Sequence, residues 1–203
     1  MKLGKDVILK ATKFLNFIKT KAVTLEGKTL EWVWAQRPNG QNAVVIIPVV
    51  WHDGEFKLVL IREFRVPLKD YEWGFPAGLI DEGEDGFDTA KRELKEETGM
   101  KVVSLLWRSP PIYSSAGMTD EAVEMICVEV EGELSRTGLD DSEEIEPAIV
   151  GRDGIRWLMQ DPTNKFGAKA YLTLLWFVND PDFLERNPMA PVNSEELNQL
   201  YQE

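Results

Sequence analysis

Three glutamates, Glu93, Glu96 and Glu97, stand at spacing i, i+3, i+4 in a segment that reads as a helix. On a helix such positions share one face, within an arc of about 100°. Like charges at that spacing repel by roughly a few tenths of a kcal/mol per pair on an exposed helix. Beside a buried stripe the cost is larger. Something positive should offset it, and hard oxygen ligands suit magnesium, with manganese second. Lys91 and Lys95 point elsewhere and do not neutralise all three. Arg92 is placed to pair with Glu84 or Glu93 and to fix a ligand's orientation. The competing reading is a plain solvated acidic face.

The rest of the chain narrows the chemistry. Its 203 residues include one histidine, His52, and one cysteine, Cys127. Machinery built on several histidines, or on a Cys-His pair elsewhere in the chain, has almost no material. Acid–base and metal chemistry must run on carboxylates. No intrachain disulfide can form, which fits a cytoplasmic setting. The N-terminus spreads its lysines and lacks the compact apolar core of a signal peptide. No stretch is long and apolar enough to span a bilayer. The net charge of −12 argues against a nucleic-acid polymer as partner, but not against a small phosphorylated substrate held through cations.

The elements that position these residues read as follows. Residues 3–18 are ambiguous between strand and amphipathic helix. A turn at Leu25–Lys28 leads into a strand near 29–37 carrying Trp32 and Trp34. Val44–Trp51 is a buried strand, and Asp53-Gly54 turns it into Phe56–Phe64. The clearest helix is Asp88–Thr98, capped by Asp85 or Asp88 and stopped by Gly99, with Phe87, Ala90 and Leu94 facing a core. Glycines 78 and 99 are read as tight turns. Strands follow at 101–108 and 122–130, then an acidic stretch at Leu139–Glu146. Helices follow near 153–160 and 166–178, the second covering the core with Tyr171, Leu172, Leu175 and Val178. Trp34 and Trp51 are read as packing, Cys127 as core and His52 as an ordinary strand-end residue. The pattern indicates an α+β or helix–sheet–helix layered domain. Residues 1–42 form an N-terminal extension, 43–180 the main domain and 181–203 a tail.

Gly78-x5-Glu84-x7-Arg92-Glu93-Leu94-x-Glu96-Glu97-x-Gly99-Met100 matches the Nudix box at every specified position. The chain therefore resembles the Nudix hydrolases. The resemblance implies an α/β/α sandwich around a mixed sheet, with an N-terminal β-hairpin extension. It implies that Glu93, Glu96, Glu97 and the Ala77 carbonyl hold the metal, oriented by Arg92 and Glu84, with Glu97 also counted among the catalytic residues. Trp73–Gly78, Arg62-Glu63-Phe64-Arg65 and Ser115–Glu121 are similar to segments of the branch that cleaves ADP-ribose and other nucleoside diphosphate sugars. That likeness assigns Arg65 and Glu121 to the substrate. The acidic stretch resembles the loop that supplies a general base, with Glu143 preferred over Asp141. Gly27–Trp32 resembles a hairpin that stacks the base, sometimes across a homodimer interface, which makes Trp32 and Arg37 substrate candidates. Ala116 stands where the branch has proline, and this departure loosens the preference for ADP-ribose among sugar nucleotides. Two alternatives stay open: cleavage of nucleoside triphosphates or dinucleoside polyphosphates, and a nucleotide-binding module that does not cleave.

Overall fold

The computed structural model describes residues 1–139, 144–180 and 182–184. The chain opens with three strands, β1 (Lys2–Ala11), β2 (Asn16–Val23) and β3 (Thr29–Gln36), paired antiparallel in that order. The strand reading of 3–18 holds and the helical one does not. The extension is accordingly a three-stranded sheet rather than a hairpin. Thr12 Oγ1 accepts from the Leu15 amide at 2.9 Å and closes the first turn. Gly27, at φ 82°, closes the second. All ten residues of β1 are exposed, so no burial pattern marks it as a strand.

Among the described residues the main sheet has nine strands. In chain order they are β4 (Ala43–His52), β5 (Glu55–Arg65), β6 (Asp70–Gly74), β7 (Ala77–Leu79), β8 (Lys101–Arg108), β9 (Ile112–Tyr113), β10 (Ala122–Glu131), β11 (Ile145–Val150) and β12 (Lys165–Phe166). The helices are α1 (Gly86–Thr98), α2 (Arg152–Gln160) and α3 (Ala168–Asn179). Asp53 and Gly54 both take positive φ, as a two-residue β4–β5 hairpin demands. Parallel pairing of β10 with β4 makes the sheet mixed.

β4 is buried on both faces, which explains its unbroken apolar run. Val44, Ile46 and Val50 pack with Ala90 and Leu94 of α1. Ile47 and Val49 pack on the other side with Ile155 of α2 and Leu174 and Phe177 of α3. Helices thus cover both faces of one sheet, the layered arrangement that the resemblance implies. Cys127 is fully buried, and burial pushes its thiol pKa up to about 12. His52 ends β4, with its imidazole 3.3 Å from the exposed Asp53 carboxylate.

Three readings change. The core-facing stripe of α3 is Ala170, Leu174, Phe177 and Val178, whereas Tyr171, Leu172 and Leu175 are exposed. Trp51 is 60% exposed and meets Phe56 edge-on rather than sitting in the core. The acidic stretch ends in a strand: β11 begins at Ile145, which is buried and pairs with Glu63 of β5. Of the tail, Asp182 to Leu184 are described, and Phe183 packs against Trp176 and Phe177.

Candidate active site

Helix α1 starts at Gly86, two residues before the Asp88 start read from the sequence, and of the two caps considered it uses Asp85. The Asp85 side chain caps the Phe87 and Asp88 amides, and those bonds, Phe87 first, hold its carboxyl below the usual range. Gly99 ends the helix at φ 77°. Lys91 pairs with Asp88 and Lys95 with the Gly99 carbonyl, so both lysines stay off the glutamate face.

The helix interlocks with β7 at three successive residues. Glu97 Oε2 accepts from the Ala77 amide at 3.3 Å. The Glu93 carboxylate lies flush against Gly78, where a Cβ would stand 2.0 Å from it. Arg92 Nη2 donates to the Leu79 carbonyl at 3.4 Å. Gly78 serves close approach rather than a turn, since its φ is not positive. Trp73–Gly78 spans two strands, β6 pairing with β5 and β7 with β4, joined across Phe75 and Pro76.

Arg92 is the hub. Its Nη1 meets Glu93 Oε1 at 2.7 Å and Glu96 Oε2 at 3.3 Å, and its Nη2 meets Glu84 Oε2 at 3.1 Å. Thr89 Oγ1 also donates to Glu84 at 2.8 Å. The Arg92 hydrogen bonds, then Thr89, draw the Glu84 carboxyl below its ordinary value, and Glu84 in turn holds the guanidinium charged. Arg92 thus pairs with both of the partners that its position offered, Glu84 and Glu93.

Among the described residues no three histidine, cysteine or acidic side chains close around one point. Glu93 and Glu96 turn to Arg92, and Glu97 turns to the Ala77 amide. The donor set nevertheless fits a hard divalent cation. It offers carboxylate oxygens from adjacent turns, with Glu97 only 5% exposed.

A second group forms between β3 and the 114–121 loop. Arg37 and Glu121, assigned separately to the substrate, are joined by an ion pair at 3.0 Å. Trp32 donates its indole N–H to the Gly117 carbonyl at 3.2 Å and keeps its ring half exposed. A cavity of about 430 Å³ opens beside it, lined by Trp32, Trp34, Tyr113, Ala116, Thr119 and Asp120 among others. Arg65 sits at the end of β5, with its guanidinium held by Glu63 at 2.6 Å and Glu72 at 3.3 Å. Glu143 and Asp141 lie outside the described residues. Their neighbour Glu144 accepts a hydrogen bond from the Tyr71 hydroxyl, which raises the Tyr71 pKa. Gln36, Tyr71, Ser114 and Lys169 were given no role from sequence. No local spacing could have found them, since Gln36 and its partner Asp120 are 84 residues apart.

The NUDIX domain model matches residues 40–172, and the chain belongs to that family. It is similar to the ADP-sugar pyrophosphatase of Mus musculus, 29% identical over 73% of this chain and 67% of that one. It is 36% identical to the ADP-ribose pyrophosphatase of Saccharomyces cerevisiae (strain ATCC 204508 / S288c) over 59% of this chain and 56% of that one. The ADP compounds hydrolase NudE of Escherichia coli (strain K12) is 43% identical over 39% of this chain and 43% of its own. The chain thus spans about half the length of several curated relatives it matches. A crystal structure of an ADP compounds hydrolase superposes with TM-score 0.66 at 25% identity, over 86% of this chain and 93% of the other.

Proposed function

We propose that this chain hydrolyses the diphosphate of ADP-ribose or another nucleoside diphosphate sugar, giving a nucleoside monophosphate and a sugar phosphate. The observation that carries the reading is the α1–β7 interlock, which holds Glu93 and Glu96 through Arg92, Glu93 against Gly78, and Glu97 through the Ala77 amide. The names of the three relatives and of the solved structure point to the same substrate class.

Glu93, Glu96, Glu97 and the Ala77 carbonyl would hold magnesium, or manganese. When bound, such a cation screens a diphosphate's charge and makes water more acidic. Arg92 and Glu84 keep the glutamates oriented. Arg65 stabilises charge on the non-bridging oxygens, and Glu121 lies beside the phosphates. Glu143 is the base proposed to orient the attacking water. Water adds across the P–O–P link, one phosphorus gaining its oxygen and the other keeping the bridging one. Trp32 offers a half-exposed ring to a nucleobase, and Arg37, paired with Glu121, is the second candidate for that end of the substrate. A homodimer in the cytoplasm fits the exposed apolar residues of β1 and the absence of a possible intrachain disulfide. Among the described residues no helix is long and apolar enough to cross a membrane.

The test is a panel of ADP-ribose, UDP-glucose, GDP-mannose and NADH, set against nucleoside triphosphates and dinucleoside polyphosphates. Magnesium is supplied and products are identified by mass. Two monophosphates from a sugar nucleotide support the reading. Pyrophosphate from a triphosphate alone defeats it in favour of the other Nudix chemistry, and tight binding without any product indicates a sensing module.

A further inference from the structure

The 114–121 loop is gripped from two sides, and both grips end at Glu121. On one side β3 runs along the loop almost residue by residue. The Trp32 indole donates to Gly117 O at 3.2 Å, and the Ala35 amide donates to Met118 O at 2.8 Å. Ala35 and Thr119 form an isolated parallel bridge. Gln36 Nε2 donates to Asp120 Oδ2 at 2.7 Å, and Arg37 Nε donates to Glu121 Oε2 at 3.0 Å. On the other side Lys169, in the first turn of α3, donates to Ser114 Oγ at 3.1 Å. Ser114 Oγ donates onward to Glu121 Oε1 at 3.4 Å.

The two oxygens of one carboxylate are therefore held by different parts of the chain. An exposed loop glutamate normally samples several rotamers, and fixing it has an entropic cost that only partnered groups offset. Here the partners are themselves anchored. Asp120, the residue before Glu121, is tied to Gln36, and Ser114 is tied to Lys169. A chain of hydrogen bonds of this kind resists displacement more than its separate members would.

We propose that Gln36 and Lys169 are positioning residues, which set the Glu121 carboxylate through Asp120 and Ser114 without touching the substrate. The N-terminal sheet is then a working part of the site rather than an appendage. The inference rests on the reading of Glu121 as part of the substrate site.

The test uses Gln36→Leu and Lys169→Met, which remove the donors and keep the bulk. Each should lower kcat by about tenfold with KM changed less than about twofold, because sub-ångström misplacement weakens the transition state more than binding. Gln36→Lys and Lys169→Arg restore a donor of similar reach and should recover most of the rate. In a Glu121→Gln background, neither loss should exceed about twofold, since the group being set is already altered. Full activity in both single variants, or additive losses in that background, would overturn the proposal. A second readout needs no turnover. Amide hydrogen exchange across residues 114–121 should quicken in both variants while the melting temperature stays unchanged. A wild-type chain inactive on every sugar nucleotide would sink the proposed function alone. Exchange would then still decide the clamp, and unaltered exchange would refute it.

Discussion

Replacing Gly78 with alanine puts a methyl group where the Glu93 carboxylate now lies. A Cβ at that position would stand 2.0 Å from Glu93 Cδ and Oε1 and 2.3 Å from Cγ. Ordinary contact begins at 3.4 Å, so the carboxylate must retreat by 3.4 − 2.0, or 1.4 Å. The backbone has no reason to object, because Gly78 does not have positive φ. The side chain moves instead, and its 2.7 Å bond to Arg92 cannot survive unchanged. Displacement of about 1 Å in a working group costs on the order of 10²-fold in rate. Gly78→Ala should therefore lose roughly two decades of kcat on ADP-ribose with magnesium. Thermal unfolding should fall by only a few degrees, since Glu93 sits at the rim of the core. Gly74→Ala, four residues upstream with nothing within 4 Å of its added carbon, is the matched control and should stay near wild type. If Gly78→Ala turned over at the wild-type rate, the position of Glu93 would be irrelevant to the chemistry.

Other outcomes follow from the same contacts. Glu97→Gln should remove most turnover while the fold and melting temperature persist, and retained turnover would count against the helix-face assignment. Leu94→Ala should cost about 2–5 kcal/mol in denaturant unfolding, because Leu94 is fully buried between α1 and the sheet; a loss under about 1 kcal/mol would mean the site collapses readily. The Glu84 carboxyl is depressed by Arg92 first and Thr89 second. Its contribution is therefore present above the unfolded value near 4.5 and is lost as pH falls through the lower folded value. Stability measured from pH 6 down to pH 3 should fall less steeply in Glu84→Gln than in wild type. Equal slopes would show that Glu84 is not linked to folding.

The helix carrying the glutamates was legible because each local signal agreed: the Asp85 cap, the Ala90 and Leu94 stripe and the left-handed Gly99. The β4–β5 hairpin was legible for the same reason, since Asp53-Gly54 permits only a narrow set of turns. β1 was not, because exposure on both faces leaves no period to read. β11 hid behind an acidic run whose last residues belong to the sheet. The stripe of α3 slipped by a position because Leu172 and Leu175 are apolar but exposed. In the site, Arg92 and Glu84 could be paired from their places in the box, although Glu84 lies in the turn before the helix. The meeting of Arg37 with Glu121, and of Lys169 with Ser114, depends on how distant elements pack, which no short window of residues encodes. Gly78 could be recognised as required, but its reason, a carboxylate pressed against bare backbone, needed three dimensions.

The lone thiol of Cys127 is sealed between sheet and helices and stays protonated far above neutrality. Maleimides and iodoacetamides react through thiolate, so they will pass the native chain by. A cysteine introduced at exposed Met118 would be the sole point of attachment for a fluorophore or spin label. The loop that carries Glu121 can therefore be watched directly, without first stripping the protein of its own sulfhydryl.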